Sequence, residues 1–130
     1  MVCASPPTSS AQSKTRQRLL LVEDDVSTAS VYARLFRAQG FEVFYASTIA
    51  DAKAHLTRDV DWVVLDLMLP DGSGLQVMRL LQEMRLPARV AVITGASDPD
   101  SLWEVTRLHP QALLRKPVDP RELLRVVDQG

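Results

Sequence analysis

Apolar and polar positions along the chain fall into two alternating patterns. Short continuous apolar runs such as Leu19-Leu20-Leu21-Val22 and Trp62-Val63-Val64-Leu65 are bounded by charged or turn-forming residues, as expected of strands covered on both faces. Between them lie stretches whose apolar residues recur every three or four positions, the spacing of a helix face. Read in order, the first strand (19–22) is stopped by Glu23-Asp24-Asp25. Ser27 is placed to cap a helix carrying Tyr32, Leu35 and Phe36, with Gly40 closing it. Residues 41–46 predict a second strand, and Ser47 starts a helix with Ile49, Ala52 and Leu56 on one face. A third strand (62–66) runs into a loop at 68–73 containing Pro70 and Gly72, then a helix over 75–85 that buries Val77, Met78, Leu81 and Met84. The fourth strand is 89–94, and a short helix over 99–107 turns Leu102 and Val105 inward. The fifth strand is 112–115. Asp119-Pro120 then supplies an N-cap and a first-turn proline for a helix through about Val127.

Five alternations of strand and helix imply a parallel sheet covered by helices on both faces, with right-handed crossovers. Residues 1–17 carry Pro6, Pro7 and many Ser and Thr without apolar periodicity, and read as a tail outside the fold. Residues 18–130 then form one domain, as the length of 130 residues allows. Fifteen basic against sixteen acidic side chains give a net charge of −1, without the global basic field of a nucleic-acid binder. The single cysteine, Cys3, rules out an internal disulfide framework and fits a reducing compartment. The apolar runs fall far short of the ~20 residues that cross a bilayer, and residues 1–13 lack the form of a signal peptide. The expectation is a cytoplasmic domain with no direct nucleic-acid or membrane partner.

In an open parallel sheet, ligands bind beyond the carboxyl ends of the strands. Those ends here deliver Glu23 and Asp24, Asp66, Thr94 and Lys116 to one rim. Carboxylates gathered in this way repel, each close pair by about 4 kcal/mol at ~4 Å and an effective dielectric near 20. Either some take up protons or a hard divalent cation sits among them, and Mg²⁺ suits an all-oxygen site shared with a phosphate. Asp66, fixed at the end of an apolar strand, is placed to act as a nucleophile toward phosphorus. Lys116 and the Thr94 hydroxyl could then meet the oxygens of the transferring group.

Leu20–Asp24 as LLVED, Asp66–Gly74 as DLMLPDGSG, Thr94-Gly95 and Lys116-Pro117, in this order and each at a strand end, resemble the receiver domain of two-component response regulators. The resemblance covers residue 18 to about 127. It implies a single-domain, doubly wound (βα)5 fold of flavodoxin-like type. It further implies that Asp66 accepts phosphate from a histidine kinase or histidine phosphotransfer protein. Glu23, Asp24, Asp66 and the main-chain carbonyl of Met68 would hold Mg²⁺, with Glu23 acting through water. Lys116 would pair with the phosphoryl group beside a cis Lys-Pro peptide. An effector domain in cis or a protein target would receive the signal, and a homodimer linked to phosphorylation fits the same scheme.

Two features depart from the family pattern. Leu113 stands where the family often has an aromatic residue, and Leu108-His109-Pro110-Gln111 replaces a small turn, so the fourth helix is expected to be short or irregular. The last helix is apolar on a wide arc through Leu123, Leu124, Val126 and Val127, which favours a contact beyond the domain. Trp103 reads as core, and His55 as part of a solvated helix face. Against a phosphoacceptor stands a silent docking or dimerisation module with the same fold. A true phosphatase of the haloacid-dehalogenase type would want an acid at position 68, where this chain has Met68.

Overall fold

Each strand is apolar on alternate residues toward both sides, so both faces of the sheet must be covered. The computed structural model describes residues 16–95 and 99–128. Cys3, most of the 1–17 tail and Gly130 lie outside the described residues. The elements are β1 (Arg18–Val22), α1 (Val26–Ala38), β2 (Glu42–Ala46), α2 (Ile49–Lys53), β3 (Trp62–Asp66), α3 (Leu75–Glu83), β4 (Arg89–Thr94), α4 (Pro99–Arg107), β5 (Ala112–Arg115) and α5 (Pro120–Asp128). The strands form one parallel sheet in the order β2-β1-β3-β4-β5. That is the doubly wound (βα)5 arrangement, with the winding reversal between β1 and β3.

Alternation along the strands sorts the core into two layers. Leu20 and Val22 of β1, Val63 and Leu65 of β3 and Val92 of β4 face one side and pack under α2, α3 and α4. Leu19, Leu21, Trp62, Val64, Ala91 and Ile93 face the other and pack under α1 and α5. No helix among the described residues is long and apolar enough to cross a membrane.

Several local expectations are corrected. The cap of α1 is Asp25, whose carboxylate accepts from the Ser27 N–H at 3.2 Å and the Thr28 hydroxyl at 2.6 Å; an acid at this position captures two donors where Ser27 could take one. Thr48, not Ser47, caps α2, and that helix ends at Lys53. Leu56 is buried all the same, carried inward by the turn that follows. His55 is half-buried there, its ring 5.7 Å from that of Phe44. The loop at 68–73 holds a small antiparallel hairpin, Met68–Leu69 against Gly72–Ser73. Met84 is exposed because α3 has already ended. Trp103, 64% exposed, stands on the outer face of α4. The fourth helix is short, as expected, spanning Pro99–Arg107, but it is not irregular. Leu124 and Val126, at the edges of the α5 arc, are half-buried against the domain's own core, so much of that arc is satisfied internally.

Candidate functional site

The C-terminal ends of β1 and β3 are neighbours, because the two strands pair directly with Val22 opposite Leu65. The next residues therefore come together. Oxygens of Glu23, Asp24 and Asp66 lie within 4.8 Å of one another. Asp24 is exposed, while Glu23 and Asp66 are only 2% and 3% exposed. Sequence neighbours thus play different parts: Asp25 is committed to capping α1 and stands outside the cluster.

Asp66 is gripped at both oxygens. One accepts from the Met68 N–H at 3.0 Å and the other from the Lys116 ammonium at 2.8 Å. Lys116 follows β5, and its own N–H donates to the Thr94 carbonyl at 2.9 Å, tying the two strand ends together. The Lys116-Pro117 peptide is cis, as the resemblance implies. Thr94, fully buried, ends β4 one residue beyond Ile93, which pairs with Asp66. Met68 is exposed at the base of the hairpin. All of the candidate residues are therefore delivered to one rim.

Glu23 is the electrostatic outlier. Its Oε2 accepts from the Asp25 N–H at 3.3 Å, whereas its buried Oε1 has no hydrogen-bond partner. Lys116 Nζ stands 3.7 Å from that oxygen, close enough for attraction but too far for a hydrogen bond. Burial, reinforced by the Asp66 carboxylate beside it, pushes the Glu23 carboxyl up to about 7. Burial alone would lower the Lys116 pKa, but the bond to Asp66 and the charges of Asp66 and Glu23 raise it overall.

The donor set fits a hard cation. It is all oxygen, one oxygen is desolvated and unpartnered, and an octahedral Mg²⁺ spans only about 4.2 Å between opposite ligands at ~2.1 Å. The separations of up to 4.8 Å need one bridging water or a small side-chain rotation.

Two backbone features complete the site. Gly74 begins α3 so close to β3 that a Cβ would lie 2.4 Å from the Asp66 carbonyl oxygen and 3.1 Å from the Leu67 Cα. Asp71, at the hairpin tip, accepts from the Ile49 and Ala50 N–H groups at 2.9 and 3.2 Å. In sequence it reads only as a turn residue, since nothing local reveals partners more than 20 positions earlier.

Residues 19–128 match the family model described as the response regulator receiver domain. Among relatives, the photosynthetic apparatus regulatory protein RegA of Rhodobacter capsulatus is 34% identical over 106 residues, covering 81% of this chain and 58% of RegA. The acid tolerance regulatory protein ActR of Rhizobium meliloti is 35% identical over 113 residues, covering 85% of this chain and 58% of ActR. The chain thus spans less than two thirds of these relatives. Among solved structures, the signal receiver domain of a putative Luxo repressor protein from Vibrio parahaemolyticus superposes with a TM-score of 0.80 at 28% identity, covering 88% of each chain.

Proposed function

Because the chain belongs to the response regulator receiver domain family, the phosphoacceptor signalling domains of two-component systems, we propose that Asp66 is its phosphoacceptor, within a receiver domain over 18–130. The observation that carries this reading is the state of the Asp66 side chain: nearly buried, held at both oxygens, and beside a desolvated Glu23 oxygen. Glu23, Asp24, Asp66 and the Met68 carbonyl would hold Mg²⁺, which when bound neutralises charge on the transferring group.

An Asp66 oxygen attacks phosphorus in line with the donor, and the bond from phosphorus to the donor breaks, its electron pair leaving with the donor. A histidine of a kinase or phosphotransfer protein is the proposed natural donor. Lys116 keeps its proton at neutral pH, because its pKa is raised, so its ammonium can move from the bare carboxylate to the phosphoryl oxygens. The Thr94 hydroxyl, on the neighbouring strand end, donates to another of those oxygens. Water later cleaves the acyl phosphate and resets Asp66. The phosphoryl group thereby shifts the population of conformers presented to an effector domain or protein target.

Incubation with acetyl phosphate and Mg²⁺ tests the assignment. The wild-type chain should gain one hydroxylamine-sensitive phosphoryl group, and Asp66→Asn should gain none. Full labelling of Asp66→Asn would refute it. No labelling of the wild type by acetyl phosphate or by a phosphohistidine donor would favour a silent docking module.

A further inference from the structure

Two segments far apart in sequence meet at Asp71. Its carboxylate accepts from the first two N–H groups of α2, Ile49 and Ala50, donors that no intrahelical carbonyl can reach. Beside it Gly72, at φ 143°, presses on the same residue: a Cβ there would stand 3.2 Å from Ile49 Cδ1 and 2.8 Å from Gln76 Nε2. The hairpin is thus held to α2 by a charged hydrogen-bond pair and by close packing.

From this tip the hairpin runs back to the phosphoacceptor. Leu69 pairs with Gly72 and Met68 with Ser73. At the base, the Gly74 N–H donates to the Leu67 carbonyl at 2.8 Å, and the Met68 N–H donates to Asp66 Oδ1. The rotamer of Asp66 is therefore linked to backbone whose far end is anchored to α2 through Asp71 and Gly72.

We propose that Asp71 is a positioning residue for phosphoryl transfer: by clamping the hairpin to α2 it holds the Met68 main chain in register with the Asp66 carboxylate. This rests on the reading of Asp66 as phosphoacceptor. A bland alternative is that Asp71 serves α2 alone, as an ordinary helix cap. Thr48 separates the two, because its hydroxyl accepts from the Asp51 N–H at 3.0 Å and caps the same helix without touching the hairpin.

The experiment compares wild type, Asp71→Ala, Asp71→Asn and Thr48→Ala for the initial rate of labelling by acetyl phosphate and for half-saturating Mg²⁺. All are assayed well below the lowest melting midpoint of the set. Asp71→Ala should slow labelling roughly tenfold and raise the Mg²⁺ requirement, a fraction of the ~100-fold that a 1 Å misplacement can cost. Asp71→Asn, whose amide oxygen can still accept one N–H, should fall between. Thr48→Ala should lose stability but label at the wild-type rate. Equal rates for Asp71→Ala and wild type, or equal slowing by Asp71→Ala and Thr48→Ala, would overturn the proposal while leaving Asp66 in place. An unlabelled wild type would instead strike the phosphoacceptor reading and, with it, this one.

Discussion

Glu23 shows how one side chain can be shaped by groups that its sequence neighbours do not reveal. It is an acid beside two other acids, yet Asp24 reaches water, Asp25 caps a helix, and Glu23 alone turns inward beside Asp66. Its carboxyl pKa of about 7 lies above the ordinary 4.5, so the folded, cation-free domain holds a proton that the unfolded chain has released. Stability then falls as pH rises between these values, because the native state binds more protons. In chelator, urea unfolding should show a loss on the order of 2 kcal/mol from pH 5 to pH 8. Glu23→Gln should flatten that slope. Asp25 and Asp71, held below the ordinary carboxylate value first by the Thr28 hydroxyl and the Ile49 N–H respectively, act only at lower pH, where their contribution is lost on acidification. A wild-type domain equally stable at pH 5 and pH 8 would contradict the assigned environment of Glu23.

At the scale of elements, three helix ends among the described residues use left-handed backbone, and only one was legible. Gly40, at φ 98°, follows α1, and its N–H donates to Arg37 while that of Phe41 donates to Phe36. Phe36 and Phe41 then meet edge to face at 6.0 Å. This is the Schellman arrangement with its hydrophobic contact. Arg85, at φ 53°, closes α3 through the same pair of bonds, from Arg85 to Gln82 and from Leu86 to Leu81. His109, at φ 55°, closes α4, and Pro110 after it has no N–H for the second bond. Glycine at such a position announces itself; arginine and histidine do not, because the conformation is imposed by packing beyond the helix. Opposite effects are therefore expected at the two Schellman ends. Arg85→Gly should stabilise by about 0.5–1 kcal/mol, and Gly40→Ala should destabilise by about 1 kcal/mol. Paired urea midpoints check both, and changes of the same sign would contradict the account.

At the scale of the whole molecule, the acidic cluster exists only while β1 and β3 are paired. Its members are separated by some forty residues of chain that include α1, β2 and α2, so unfolding disperses them. Mg²⁺ should accordingly bind the native state alone and raise the unfolding free energy of the entire domain, by about 2.7 kcal/mol at one hundred times its dissociation constant. The denaturant slope should stay unchanged, since the surface exposed on unfolding is the same. Binding should strengthen from pH 6 to pH 8, because the ion needs the ionised Glu23 carboxylate. A shift that is absent in millimolar Mg²⁺, or that persists undiminished in an Asp24→Asn, Asp66→Asn double variant, would rule out this site.

Periodicity and strand-end chemistry were enough, on sequence alone, to establish five strands, five helices and the set of residues that gather at one rim of the sheet, because apolar runs and the reach of a strand end are local consequences of residue type. Tertiary structure alone decided which of three adjacent acids turns inward, where α2 stops, why Trp103 is left in solvent, and that Asp71 holds a helix begun twenty-two residues earlier. Each of those outcomes depends on a partner distant in the chain, and spacing along a sequence carries no record of such a partner until the sheet has brought it near.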